Sequence, residues 1–244
     1  MINKRALPEF ENWRMLFEEQ HLGDCDLIRK NKIFRRITMK NLIIRTETSD
    51  DYAIVENLTR EAFWNVYRPG CVEHYVLHCF RSLPEFIPQL SLVAEAEGLI
   101  LGHIMYSRAS ITCDDGSCLP IVIFGPLSVA PEHQRRGIGS ALVRHSLALA
   151  KSLGCGAVAI TGSSAYYGRF GFIPSQSKGI FYDGLPRSEP TPFFMVKELT
   201  VGYLAGITGT YADPPGYFVR DEDVDAFDAR FPLKEKLKLP GQLA

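Results

Sequence analysis

The sequence predicts an α/β domain with additions at both ends, and three observations carry that reading. The chain has 244 residues, 46% of them hydrophobic and 23% charged, enough to bury a substantial core in one large domain. A β-branched run, "LPIVIFGPLSVAP" (119–131), is followed by a long amphipathic stretch and then by "GAVAIT" (156–161). Strand, helix, strand in that order implies a right-handed crossover joining two neighbouring parallel strands. Upstream, "LSLVAEAEGLILGHIMYSRASI" (90–111) has the outline of a β-hairpin.

Taken in order, residues 1–38 read as an appendage. Phe10, Trp13, Leu16 and Phe17 recur at helical spacing after Pro8, Gly23 can stop that helix, and a short basic run "RKNKIFRR" follows. "NLIIRTE" reads as a strand, and Thr48 or Ser49 can cap a helix through Trp64 whose Val55, Leu58 and Ala62 share a face. A second helix is expected over Cys71–Arg81. The hairpin should hinge at Glu97 and Gly98, with a further turn at "DDGS". From Thr200 the chain becomes turn-rich, and Val224, Phe227 and Phe231 mark one more short helical face before a basic end.

Charge and composition exclude several partner classes. Lys plus Arg number 27 against 28 Asp plus Glu, a formal net charge of -1, so no global field favours nucleic acid or an anionic membrane. No run of about 18 apolar residues and no signal-peptide core is present, and a cytoplasmic location is expected. The 6 cysteines are scattered, and free thiols are expected; Cys113 and Cys118, flanking "DDGS", are the one pair near enough in sequence to approach each other.

The chemistry concentrates in "PEHQRRGIGS" (131–140). A helix start presents N–H groups without intrahelical partners, together with the positive end of the helix dipole, and so holds an anion with main chain alone. Gly137 and Gly139 leave room for a phosphate against those amides, and Arg135 and Arg136 add cations at the rim. The spacing fits neither a P-loop, which needs Lys-Ser or Lys-Thr, nor the dinucleotide fingerprint. In the preceding strand Gly125-Pro126 interrupts the ladder, because proline has no N–H to donate. A bulge there leaves Leu127, Ser128 and Val129 with an open edge able to pair with an amide-bearing ligand. Coenzyme A, a pyrophosphate with peptide-like amides beyond it, fits both features.

These residues resemble the GNAT superfamily of N-acetyltransferases. Its hallmark, Gln/Arg-x-x-Gly-x-Gly/Ala, is matched by Gln134, Arg135, Arg136, Gly137, Ile138 and Gly139, and "AYYGRFGF" (165–172) is similar to the downstream region in which a tyrosine lies four residues before a glycine, here Tyr167. The resemblance spans roughly 41–198. It implies a mixed, mostly antiparallel central sheet with a splayed parallel strand pair and flanking helices. With the residue patterns at the two ends, the expected organisation is an N-terminal helical extension (1–38), an acetyltransferase domain (41–198) and a C-terminal extension packed on it (199–244). Acetyl-CoA is the implied co-substrate, contacting Leu127, Ser128, Val129, Gln134 to Gly139 and Ser140, and an amine of a small molecule or protein is the implied acceptor. Neither nucleic acid nor membrane is expected as a partner, and a homodimer is one open arrangement. Many members carry an Asn before the tyrosine; "TGSSA" does not, and Ser163 or Ser164 can substitute.

Acetyl transfer to an amine needs a neutral amine, an oxyanion donor and a proton for the departing thiolate. The N–H of Leu127 is the candidate oxyanion donor, and Tyr167, a phenol protonated at neutral pH, the candidate acid. The splayed strand carries no Asp or Glu, so Glu61, Glu73 and His74 on the early helices are the candidate bases. Phe63, Trp64 and Tyr67 are candidates for an acceptor pocket. Cys71, His74 and His78 fall on one helical face in a spacing that invites a metal, but no fourth ligand is identifiable and a substrate-facing wall is preferred. A non-catalytic acyl-CoA sensor or scaffold is the alternative reading, and a partner-binding protein dominated by its terminal additions is a third.

Overall fold

The computed structural model describes residues 41–242. The expected N-terminal helix, the basic run and Cys25 lie outside the described residues. Strand β1 (Ile43–Thr46) pairs antiparallel with β2 (Leu92–Ala96), β2 with β3 (Leu99–Cys113), and β3 with β4 (Cys118–Val129). The β2–β3 turn is Glu97 and Gly98, with φ of 52° and 77°. Two consecutive left-handed residues match the twist of a two-residue hairpin, as the sequence requires. At the β3–β4 turn the Ser117 N–H donates to the Asp115 carboxylate at 2.8 Å, and Cys113 and Cys118 stay separate thiols.

Helix α1 (Tyr52–Phe63) follows a 3₁₀ turn at Ser49–Asp51, entered through Thr48, whose N–H donates to Asp51 at 2.8 Å. Helix α2 (Glu73–Phe80) falls inside its expected span. Helix α3 (Ile138–Ser152) crosses from β4 to β5 (Ala157–Thr161), and those strands run parallel as expected. The short α4 (Ser164–Tyr167), β6 (Ile173–Pro174), β7 (Ile180–Tyr182) and β8 (Phe194–Glu198) follow. The sheet runs β1-β2-β3-β4-β5-β8-β6, and β9 (Gly209–Tyr211) pairs with the far end of β3 and, in a second parallel pairing the sequence did not announce, with β7. Residues 199–242 thus supply a sheet strand as well as α5 (Asp221–Asp228), which packs on α2 through Phe227 rings against Tyr75 and His78.

Both faces of the sheet are covered, and strand alternation decides which residue goes where. Leu92, Ala94, Ile104 and Tyr106 pack with Leu142, Val143 and Leu147 of α3. Their neighbours Val93 and Met105 point the other way, onto Val55 of α1 and Val76, Leu77 and Phe80 of α2. A third cluster under the C-terminal residues joins Ile121, Ile123, Phe194 and Tyr211.

A buried charge network ties α1 and α2 to the sheet. Glu47 accepts from Arg81 at 2.6 Å and from Ser91 Oγ at 2.7 Å, while Arg81 also donates to Glu56 at 2.6 Å. Burial pushes the Glu47 carboxyl up, but the His103 ring and the Arg81 guanidinium outweigh it and hold it at about 2, below its ordinary 4.5. A carboxyl depressed in the folded state contributes stability above its unfolded value and loses it as pH falls through the folded one. Denaturant midpoints are therefore expected to fall between pH 4.5 and 2, and Glu47→Gln is expected to flatten that slope while lowering stability at neutral pH.

Candidate functional site

The break in β4 occurs where proline forces it. Phe124 is opposite Tyr106 and Leu127 opposite Ile104, so Gly125 and Pro126 together face the single residue Met105, a bulge. On the other side of β4 the pairing with β5 is limited to Val122↔Val158 and Ile123↔Ala159. Beyond Ile123 the two strands part. The Ala130 N–H donates to Leu101 at 3.0 Å, so by antiparallel alternation Ser128 and Ala130 serve β3, and Leu127 and Val129 turn their peptide groups to the gap. The side chain of Gln134 donates to the Val129 carbonyl at 3.2 Å from that open side, an independent check of the parity.

The start of α3 closes the same gap. Gly137 is left-handed (φ 91°), as is Arg135 (φ 59°), and no side chain caps the helix. The first intrahelical bond is Ala141 N–H to the Gly137 carbonyl at 2.9 Å, leaving the amides of Ile138, Gly139 and Ser140 without intrahelical acceptors. A Cβ on Gly139 would meet the Tyr166 hydroxyl at 3.0 Å, so the bare backbone keeps that wall uncrowded. An uncapped, side-chain-free helix start beside a strand with outward amides fits a pyrophosphate followed by an amide-bearing arm.

These features open into one cleft of about 960 Å³. Leu127, Val129, Gln134, Arg135, Gly137, Ile138, Gly139 and Ser140 line it. Ser128 and Arg136 do not. Ser128 is buried on the opposite face, where its hydroxyl meets Thr59 Oγ1 at 3.0 Å, and its peptide serves β3. Arg136 is exposed, off the cleft wall. Of the serines offered in place of the family's Asn, Ser163 lines the cleft and Ser164 does not. Tyr167 stands mid-wall, packed edge-on against Phe124 and Tyr166 with centroids 5.6 and 4.8 Å away, and burial drives its phenol further above the ordinary range.

The wall is completed by Phe63, Tyr67, Glu73, Asp213 and Tyr217. The last two come from the C-terminal residues and were not singled out in the sequence. Tyr217 donates to the Gly125 carbonyl at 3.1 Å and packs on Phe80, which brings the turn-rich "DPPGYF" against the bulge. Burial pushes the Glu73 carboxyl up, partly offset by its backbone hydrogen bonds, among them the Val72 N–H at 3.0 Å, and by Arg68.

The remaining candidates turn elsewhere. Glu61 pairs with Lys234 at 2.8 Å. Trp64 donates to the Glu235 carbonyl at 2.9 Å and lies under the Arg60 guanidinium. His74 is fully buried between Cys71, whose Sγ is 3.3 Å from its Nδ1, and Asp228, 3.2 Å from its Nε2. That line has the order of a thiol–imidazole–carboxylate relay, yet burial pushes the thiol up and brings the imidazole down to about 4, the reverse of activation. His78 is turned to Glu56 at 2.9 Å, and among the described residues no group of three His, Cys, Asp or Glu is gathered to hold a metal. No helix among them is long and apolar enough to cross a membrane.

Comparison with known proteins agrees with this geometry. Residues 88–174 match the family model described as "Acetyltransferase (GNAT) domain". The chain is 37% identical over 105 residues to the uncharacterized N-acetyltransferase YjhQ of Escherichia coli, covering 43% of this chain and 55% of that one, so it spans about half of that relative's length. It is 29% identical over 132 residues to the uncharacterized N-acetyltransferase YhbS of the same organism, covering 54% of this chain and 73% of that one. The fold matches the crystal structure of YhbS with CoA (TM-score 0.62, 24% identity, 72% of this chain and 92% of that one). It also matches a GNAT family acetyltransferase from Brucella melitensis with acetyl-CoA (TM-score 0.59, 27% identity, 73% and 99%).

Proposed function

We propose that this chain is an acetyltransferase of the GNAT superfamily, whose domain model it matches over residues 88–174, and that it transfers an acetyl group from acetyl-CoA to a primary amine by direct attack in a ternary complex. One observation carries the reading: the outward peptide groups of Leu127 and Val129 and the uncapped amides of Ile138 to Ser140 face a single cleft. The solved neighbours named with CoA and acetyl-CoA support it.

Bound acetyl-CoA supplies an acyl group activated as a thioester. On this reading the amides of residues 138–140 and the Arg135 guanidinium hold phosphate, and the Val129 peptide pairs with the amide-bearing arm. The Leu127 N–H is directed at the carbonyl oxygen on which charge develops. Tyr167 gives its phenolic proton to the sulfur: the phenol is protonated at neutral pH, and its half-buried place on the wall raises it further, which makes it the weaker acid until the thiolate leaves. Of the three base candidates only Glu73 lines the cleft, so Glu73 takes the proton of the attacking amine, directly or through one water.

Release of free thiol from acetyl-CoA across an amine panel tests the reaction; tight acetyl-CoA binding with no turnover on any amine would favour a sensor. For Glu73 the base must be ionised, so kcat/KM is expected to rise with pH along a limb set above the ordinary carboxylate range by burial. Glu73→Gln is expected to remove that limb and lower kcat/KM by up to about 10²-fold. An unchanged pH profile in the variant would exclude Glu73 as the base.

A further inference from the structure

We infer that the acceptor carries two positive charges, and that Asp213 anchors the ammonium that does not react. The inference rests on the acetyl-transfer reading and names the substrate class for the same cleft. Four charged side chains line that cleft, and they divide by sign. Arg135 belongs to the start of α3, and Arg169 stacks on Tyr166, whose hydroxyl lies against Gly139, so both cations sit at the phosphate end. Glu73 is on α2, and Asp213 shares with Tyr217 the segment that packs on Phe80 of α2, so both anions belong to the α2 side of the cleft.

Asp213 is equipped differently from Glu73. Its Oδ1 accepts from the Tyr211 hydroxyl at 2.8 Å and its Oδ2 from the Tyr182 hydroxyl. Two phenols fix the carboxylate without neutralising it, and each oxygen keeps a further lone pair for a ligand. Among the described residues no Lys, Arg or His forms an ion pair with Asp213, although ion pairs occupy many of the other acidic residues of the C-terminal segment, Asp221, Asp223, Asp225 and Asp228. A carboxylate with no cation of its own on a cleft wall is matched by a cationic ligand group.

The reacting amine cannot supply that cation, because it attacks only when neutral. Charge balance at Asp213 therefore calls for a second nitrogen. The Tyr217 hydroxyl, bonded to the Gly125 carbonyl at 3.1 Å, fastens the segment that carries Asp213 to the bulge beside Leu127, so the anchor and the candidate oxyanion donor line the same cleft. Phe63, Tyr67 and Tyr217 add ring faces, which receive an alkylammonium better than an anion. A compact aliphatic diamine or polyamine meets these conditions.

The test compares 1,4-diaminobutane and 1,5-diaminopentane with 1-aminobutane and 1-aminopentane on the full chain. A charge-assisted bond to one ammonium predicts kcat/KM about 10- to 100-fold higher for the diamines. Asp213→Asn, which keeps a carbonyl acceptor for one tyrosine, is expected to bring that ratio close to unity. Calorimetry with N,N,N′,N′-tetramethyl-1,4-diaminobutane gives a readout without turnover, and its affinity should fall about tenfold in the variant. Equal use of monoamines and diamines by the natural chain, or a preference that survives Asp213→Asn, overturns the inference. Calorimetry with acetyl-CoA is run separately: no binding there fails the acetyl-transfer reading itself, whereas normal acetyl-CoA binding with no preference for the dication fails only this one.

Discussion

Leu127→Pro is expected to lower kcat by about 10²- to 10³-fold in the folded variant, the loss typical of removing one oxyanion donor. The substitution deletes a single N–H. That N–H does not serve the β3–β4 ladder, because the bond from Ala130 to Leu101 fixes the parity that turns Leu127 to the gap. Proline in this stretch therefore forfeits no sheet hydrogen bond, and the residue before it, Pro126, is itself in a strand, the conformation a following proline favours. Leu127→Ala is the matched control: it removes the side chain, keeps the donor, and is expected to hold kcat within a few-fold. Acetyl-CoA affinity, read by calorimetry, separates lost binding from lost transition-state stabilisation. If the proline variant keeps its thermal unfolding and its kcat stays within about threefold, the assignment of that N–H is wrong.

The difference between Leu127 and Ser128 also marks how far sequence reasoning reaches. Gly125-Pro126 announces a bulge because the prohibition is local: proline cannot donate to a ladder wherever it lies. The helix start was legible for the same reason, since its glycines and lack of a capping side chain act over a few residues. Which residues beyond the bulge face the ligand depends on strand parity, and a step of one residue reverses every peptide and side chain. Reading 127–129 as a block thus included Ser128, which faces Thr59 and α1. The early helices show the same limit. Spacing groups Cys71, His74 and His78 on one face, but the packing of α5 decides that this face turns to Asp228 and Phe227 while Glu73 meets the cleft. Asp213 and Tyr217 carried no local signal at all. Tyr217 reaches its partner Gly125 across 92 positions, a contact that exists only once the chain has folded.

The C-terminal residues also carry the largest stability effect expected from a single side chain. Arg60 is fully buried, and its guanidinium donates to Asp228 at 2.5 and 3.1 Å and to the Pro232 carbonyl at 3.1 Å. The charge lies between the rings of Trp64 and Phe231, 4.2 and 5.4 Å from its centre. Burial raises the Asp228 carboxyl, yet the bond from Arg60 and its charge prevail and hold it below the ordinary value. Asp228→Ala removes the hydrogen-bonded counterion and leaves a guanidinium that cannot shed its proton with only the half-exposed Glu61 carboxylate 3.7 Å away, which is expected to cost about 3–5 kcal/mol in urea unfolding. Removing both charges is different, because replacing a buried pair by apolar groups of similar volume is often neutral. Arg60→Met with Asp228→Leu should recover most of the loss, and a double-mutant cycle separates coupling from the penalty of a stranded charge. The consequence extends to the cleft. Trp64 and Asn65 both donate to the Glu235 carbonyl, and the Leu237 N–H donates to Asn65, so this segment clasps the loop that presents Tyr67. A single-variant cost under about 1 kcal/mol would mean that water reaches Arg60 and that the clasp is held by packing alone.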